Sequence, residues 1–131
     1  MAVTHPTSYA FNRTRQAYLA TELRLANTHW SRLRGLMGTG RENFPAGRAL
    51  WIVPCRGVHT LAMRFPIDVA YLDSRQVVVH VENNLLPWRV APLRLGAASV
   101  LELPGNTLAR TSTAVGDELE IMAAPGSEAA R

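Results

Sequence analysis

An alternation of apolar and polar side chains marks the first regular segment of the chain. Leu23 and Leu25 alternate with charged neighbours inside residues 17–26. A period of two is typical of a strand that buries one of its faces. Residues 1–16 show no such period, so we expect a flexible tail before this strand.

A helical spacing follows directly. Trp30, Leu33 and Met37 recur at intervals of three and four residues. This spacing predicts a short helix with these three side chains on its buried face. Thr28 is a residue type that caps helix N-termini, and Gly38 is typical of a helix end.

The remainder of the chain is typical of strands separated by turns that contain glycine and proline. The strands expected after the helix span residues 49–53, 67–72, 76–81, 85–90, 100–103 and 118–122. The pattern predicts an all-β fold, mainly an antiparallel β-sandwich or barrel of about eight short strands, with one short α-helix near the N-terminus. We expect this single helix to supply no crossover between parallel strands.

Length and composition indicate one domain. The chain has 131 residues, of which 47% are hydrophobic, as in folded globular proteins. We predict a single β-sandwich domain over residues 17–123 between two flexible tails, residues 1–16 and 124–131.

No apolar run reaches the roughly 20 residues that span a membrane. The N-terminus lacks an apolar signal core, and one cysteine cannot form an internal disulfide. We therefore expect a cytoplasmic protein without a membrane span.

The basic residues are unusual in kind, since all 14 are arginine, while the formal net charge is only +4. An arginine-rich surface is one route to nucleic-acid binding. Here the arginines are scattered among acidic residues, and no row of aromatic residues for base stacking is indicated. Codon bias in a GC-rich genome explains the absence of lysine better than nucleic-acid binding does, so we expect no nucleic-acid partner.

The only cysteine of the chain lies in the segment that is richest in candidate chemistry. Cys55, His59 and Met63 are spaced four residues apart. In an extended or a helical segment this spacing places the three side chains roughly on one face. Their sulfur and nitrogen atoms are ligands that soft metals such as Cu(I) prefer. In the alternative interpretation, Cys55 and Met63 fill the core and His59 is hydrogen-bonded in the sheet.

Two carboxylates, Asp68 and Glu102, lie in otherwise apolar strand segments. A buried carboxylate needs a partner or stays protonated. One interpretation pairs these side chains with Arg32, Arg34 or Arg64 and so fixes the helix on the sheet. The other interpretation places them at the rim of a pocket, as general acid and base or as ligand anchors.

Four motifs resemble those of the domain-of-unknown-function 192 family. They are Arg-Leu-Arg-Gly-Leu-Met at 32–37, Pro-Ile-Asp-Val-Ala-Tyr-Leu-Asp at 66–73, Val-Leu-Glu-Leu-Pro-Gly at 100–105 and Gly-Asp at 116–117. The resemblance covers roughly residues 20–122 and implies a mostly antiparallel β-sandwich with one short helix. It implies no established reaction.

The chain departs from the family pattern at residues 59–63. Many members of the family carry Trp-Met-Lys-Asn-Thr there, whereas this chain has His-Thr-Leu-Ala-Met. The resemblance therefore implies that metal chemistry at His59 and Met63 belongs to a subgroup only.

Three functional hypotheses follow. The first is a non-catalytic binding module that holds a small molecule, a peptide or a protein partner through a patch around residues 55–68. The candidate ligand-binding residues are His59, Thr60, Met63, Asp68, Glu102 and Arg34. The second is a hydrolase-like enzyme that acts on a small polar substrate with Asp68, Glu102 or His59. The third is copper binding by Cys55, His59 and Met63; apart from copper, no cofactor is expected.

Overall fold

Seven strands form one sheet in the computed structural model, which describes residues 4–124 apart from the side chains of His29, Trp30 and Leu33. The strands are β1 Tyr9–Asn12, β2 Ala17–Ala26, β3 Gly47–Ile52, β4 Ile67–Leu72, β5 Val78–Leu85, β6 Ser99–Pro104 and β7 Leu119–Met122. The helices are α1 His29–Arg34, a 3-10 turn at Arg41–Asn43 and α2 Thr107–Arg110. The predicted predominantly β class with a short helix after the first long strand is confirmed. No helix in the described part of the chain is long and apolar enough to cross a membrane.

The strands are ordered β5-β4-β6-β3-β2-β1-β7, so β5 and β7 lie at the two edges of the sheet. These edges join at one end. Val77 and Glu118 form an isolated antiparallel bridge, and the N–H of Val78 donates to the carbonyl of Asp117 at 2.9 Å. Hydrogen bonds between the two edge strands leave fewer unpaired backbone groups where the sheet would otherwise end.

The strand pairs are antiparallel with one exception, since β2 and β3 run parallel. A parallel pair requires a connection that returns the chain to the same end of the sheet. Here that connection contains α1 and the 3-10 turn. The expectation that the helix supplies no crossover is therefore wrong for this pair.

Helix α1 begins and ends at residues whose local chemistry explains its limits. The Thr28 side chain accepts a hydrogen bond from the N–H of Ser31, and the Ser31 hydroxyl accepts one from the N–H of Thr28. This reciprocal pair is a capping box. The helix ends at Gly35, which has a φ of +48°, three residues before the predicted end. Met37 therefore lies beyond the helix, and the predicted burial of Trp30 and Leu33 concerns side chains outside the described set.

The predicted N-terminal tail extends too far into the chain. Residues 9–12 form β1, which pairs with β2 on one side and β7 on the other. The side chain of Asn12 is buried and donates to Asp117 Oδ2 at 2.9 Å. Four residues are too few to show a clear period, so this strand was missed. The C-terminal tail expected over residues 124–131 lies outside the described residues except for its first position.

One expected strand is absent from the described chain. Residues 85–90 were predicted to form a separate strand, but β5 continues to Leu85 and an irregular loop follows. The other expected strands after the helix correspond to β3–β7, with shifted ends.

The core lies on both faces of the sheet. All six residues of β4 are buried. Ile67, Val69 and Tyr71 pack in one hydrophobic cluster, whereas Ala70 and Leu72 pack in another. Successive side chains of a strand point to opposite faces, so β4 contributes alternately to the two clusters. The same alternation in β4 and in the neighbouring β6 determines the faces of the sheet on which Asp68 and Glu102 lie.

Candidate functional site

Glu102 lies near the middle of the sheet, on β6 between β3 and β4. It pairs with Leu50 on one side and Val69 on the other. The residue is only 2% exposed. Among the described residues its Oε1 has no hydrogen-bond partner. Burial raises the pKa of the Glu102 carboxyl from 4.5 to about 8, because removal from water disfavours the charged form.

Glu102 lines a small cavity of about 40 Å³, which we call the Glu102 cavity. The cavity also contacts the end of α1 and the loop that follows β3. Residues that line it from these elements are Arg32, Arg34, Gly35, Leu36, Met37, Ile52, Cys55, Gly57, Val58, His59 and Met63. Segments 32–37 and 100–105, both noted for their family resemblance, thus meet at one place.

A wider groove of about 620 Å³ lies beside this cavity and shares part of its wall. Cys55 and His59 line both spaces. Val90 and Leu93 form the opposite side of the groove. Of the two spaces the groove is the more open and the more apolar, and apolar clefts with a few polar groups are common ligand-binding sites.

The three predicted metal ligands all line the Glu102 cavity. The Cys55 thiol donates to the carbonyl of Gly57 at 2.9 Å, and burial is the largest cause that raises its pKa. Met63 is buried in the core cluster. The His59 Nδ1 accepts a hydrogen bond from the N–H of Leu61 at 3.3 Å. The described residues contain no group of three or more His, Cys, Asp or Glu side chains that could hold a metal ion, and no cofactor is indicated.

Asp68 lies on the opposite face of the sheet from Glu102. In the register of β4 and β6, Val69 is the partner of Glu102, whereas Asp68 is the partner of Leu103. Residues that pair across an antiparallel sheet share a face, and successive residues alternate. Asp68 is fully buried, and its two oxygens accept hydrogen bonds from backbone N–H groups of Asn84 and Leu108, each at 2.8 Å.

Thr60 is also buried, and its hydroxyl is bonded within the protein. It donates to the carbonyl of Leu86 at 2.6 Å and accepts from the N–H of Arg89 at 2.8 Å. The side chain therefore holds the loop after β5 against the 58–60 segment. Neither Thr60 nor Asp68 lines the Glu102 cavity or the groove.

Arg34 and Gly35 lie between the Glu102 cavity and a second space of about 430 Å³. The second space is lined on its far side by Arg24, Arg48 and other residues of β2 and β3. The Arg48 guanidinium contacts the Glu22 carboxylate at 3.3 Å. Arg34 was predicted as a ligand-binding residue, and the structure places it in the wall between two spaces.

Several lining residues were not singled out by the sequence analysis. Val90 and Leu93 of the groove lie in a segment that was expected to be partly a strand. Gly35 entered the sequence analysis only as part of the 32–37 motif. A Cβ built on Gly35 would lie 3.7 Å from Glu102 Oε1, but the two residues are far apart in sequence.

Comparisons with known proteins find a family and curated relatives whose names state no activity. A sequence model of the DUF192 family, described as "Uncharacterized ACR", matches residues 10–121. A UPF0127 protein of Thermococcus sibiricus is 29% identical over 114 residues, which are 83% of this chain and 71% of that protein. A UPF0127 protein of Pyrococcus furiosus is 32% identical over 114 residues, which are 83% of this chain and 94% of that protein.

A solved structure has a similar fold. The crystal structure of a protein of unknown function from Novosphingobium aromaticivorans aligns with a TM-score of 0.75 at 20% identity. The alignment covers 86% of this chain and 83% of that chain. At this level of identity the likeness shows the fold alone.

Proposed function

Given that this chain belongs to the DUF192 family, whose description names no activity, we propose from the site itself that the protein is a non-catalytic binding module. Its ligand is a small molecule or the end of a peptide. The ligand lies in the groove and places one hydrogen-bonding group in the Glu102 cavity.

The observation that carries this proposal is the unpartnered Oε1 of Glu102. A buried polar atom without a hydrogen bond costs about 1–3 kcal/mol, and folded proteins contain few such atoms. Glu102 lines a cavity that shares residues with an open groove. A ligand that donates a hydrogen bond to Oε1 would remove this free-energy cost. Part of the ligand's affinity would then come from pairing this oxygen.

The volumes of the two spaces indicate which part of the ligand each can hold. A water molecule occupies about 30 Å³ in the liquid, so the 40 Å³ cavity admits one small group such as a hydroxyl, an amine or an amide nitrogen. Ligand sites commonly measure about 300–1,000 Å³, and the groove at about 620 Å³ accommodates the larger part of the molecule.

Hydrolysis is supported less well by the same geometry. A pair of carboxylates that acts as acid and base must reach one substrate, but Asp68 and Glu102 face opposite sides of the sheet. Burial raises the pKa of the Cys55 thiol, which disfavours the nucleophilic thiolate. The arrangement therefore supports binding rather than a covalent reaction.

A ligand screen with a matched pair of variants tests the proposal. Small alcohols, primary amines, amides and short peptides are tested for a rise in the melting temperature of the wild-type protein. Each hit is then tested on Glu102→Leu, which removes the acceptor, and on Glu118→Gln, which changes an exposed carboxylate. We expect the affinity to fall about tenfold or more in Glu102→Leu and to stay unchanged in Glu118→Gln. Hits that bind both variants as tightly as wild type would contradict the proposal.

Copper binding is a second candidate, because Cys55, His59 and Met63 line the same cavity. Titration of the reduced protein with Cu(I) against a competing chelator tests it directly. Tight one-to-one binding that is lost in Cys55→Ala and in Met63→Leu would support a soft-metal site. Equal binding by wild type and Cys55→Ala would oppose it.

A further inference from the structure

The loop after β5 exposes an unusual number of large apolar side chains. Within residues 86–95, which we call the apolar loop, the exposed side chains are Leu86 (50%), Trp88 (64%), Val90 (74%), Leu93 (65%) and Leu95 (77%). Single exposed apolar residues are common on protein surfaces, but a contiguous set marks an interaction site.

Backbone hydrogen bonds fix the apolar loop on the rest of the protein. The N–H of Trp88 donates to the carbonyl of Thr60 at 2.9 Å, and the N–H of Ala91 donates to the carbonyl of Val58 at the same distance. The Tyr71 hydroxyl donates to the carbonyl of Pro92 at 3.1 Å. The exposure of these side chains is therefore a property of the folded loop and does not result from fraying.

The backbone conformation of Trp88 has a free-energy cost that is not offset by packing in the core. Its φ is +62°, in the left-handed region that bulky side chains rarely adopt. Such a conformation costs about 1–3 kcal/mol and is found preferentially at functional sites. An exposed tryptophan at this position gains little from the core, so an external contact is the simplest reason for its presence.

The charged residues of the apolar loop itself are of one sign. Residues 83–101 contain no Asp or Glu, and Arg89 and Arg94 of the loop are exposed. Arg56 is exposed on the neighbouring segment, where its carbonyl accepts from the N–H of Arg94 at 2.8 Å. Arg94 also approaches the ring of His80, which bonds to the Glu82 carboxylate.

We propose that the apolar loop docks the protein on an anionic lipid bilayer. Tryptophan and leucine enter the interface between headgroups and acyl chains, while arginine contacts the anionic headgroups. A protein partner would also suit exposed tryptophan and arginine. Side chains exposed by half to three-quarters suit a bilayer better, because it needs no matching pocket. Val90 and Leu93 of the loop also line the groove, but the inference does not depend on the Glu102 cavity.

Co-sedimentation with vesicles tests the proposal. Wild-type protein is mixed with vesicles of phosphatidylglycerol and phosphatidylcholine, and with vesicles of phosphatidylcholine alone. We expect binding to the anionic vesicles only, with weaker binding as the salt concentration rises. Arg89→Gln is expected to lower the partition coefficient about fivefold, and Trp88→Ser about tenfold.

A matched pair of valines provides the control. Val90 in the apolar loop and Val115 outside it are both exposed, at 74% and 60%. Val90→Ser is expected to weaken vesicle binding and Val115→Ser to leave it unchanged. Glu102→Leu is expected to bind vesicles like wild type, so a failed ligand screen does not affect this result.

Three outcomes would overturn the proposal. The first is the absence of binding to anionic vesicles at low salt. The second is an equal loss of binding in Val90→Ser and Val115→Ser. The third is a dimer that forms without lipid and is lost in Trp88→Ser, because that result would assign the apolar loop to a second copy of the chain.

Discussion

The carboxylate of Asp68 holds the backbone of Leu108, 40 positions further along the chain, through a hydrogen bond of 2.8 Å between Oδ2 and the Leu108 N–H. Its other oxygen accepts from the N–H of Asn84 at 2.8 Å. Asp68 thus fixes the start of α2 and the end of β5 on β4. This side chain was a candidate site residue in the sequence, and its observed contacts are those of a structural residue.

Replacement of Asp68 is expected to destabilise the protein. Asp68→Ala leaves two backbone N–H groups without an acceptor, at about 1–3 kcal/mol each. Asp68→Asn keeps one acceptor and should lose less. Urea unfolding of the two variants measures the difference. Unchanged stability together with loss of ligand binding would instead make Asp68 a site residue.

Glu102 is expected to make the stability of the protein depend on pH. Its pKa is raised from 4.5 to about 8 in the folded state, so the folded protein keeps a proton that the unfolded chain releases between these values. The free energy of unfolding therefore falls as pH rises through this window, by an amount on the order of 5 kcal/mol. The contribution is complete below pH 4.5 and lost above pH 8.

Urea unfolding of Glu102→Gln at several pH values between 5 and 8 checks this dependence. We expect a flatter profile than in wild type, because the neutral amide does not titrate. Glu118→Gln, at an exposed position, should keep the wild-type slope. The same slope in Glu102→Gln and wild type would show that Glu102 is not the titrating group.

Gly35 is required at the end of α1 by its backbone conformation. Its φ is +48°, while a Cβ would meet Glu102 Oε1 at an ordinary distance of 3.7 Å. Gly35→Ala should therefore cost about 1–2 kcal/mol through backbone strain rather than through a clash. Gly96→Ala is the control, since no atom lies within 4 Å of a Cβ there. Thermal unfolding that shows equal effects of the two substitutions would argue against strain at Gly35.

Cys55 is expected to react slowly with alkylating agents. Burial raises the pKa of its thiol, and Sγ donates to the carbonyl of Gly57, so the reactive thiolate is scarce at neutral pH. The rate of reaction with iodoacetamide should be about tenfold or more below that of the urea-unfolded protein. Equal rates in the folded and unfolded protein would contradict this prediction and support a nucleophilic role for Cys55.

Local signals in the sequence were sufficient for the elements that depend on them. The alternation in residues 17–26 predicted β2, the run 67–72 predicted β4, and Thr28 was correctly expected to cap α1. In each case the pattern and the structure concern neighbours within a few residues. The strand β1 lacked such a signal, because it is stabilised by pairing with β2 and β7.

The candidate site depended on information that the sequence does not contain. The sequence offered Cys55, His59, Met63 and Glu102 as chemically notable residues, and all four line one cavity. Asp68 was an equally strong candidate in the sequence. Only the pairing of Val69 with Glu102 shows that Asp68 lies on the opposite face of the sheet from Glu102. A shift of one residue in that pairing would exchange the two faces.

The sequence by itself therefore determined the β-rich class, the position of the first helix and the residue types available for chemistry, since these follow from local spacing and side-chain type. The tertiary structure alone decided which carboxylate reaches the cavity and which side chains of residues 86–95 stay exposed. Both depend on contacts between segments that are distant along the chain, which strand register and loop anchoring establish only in the folded protein.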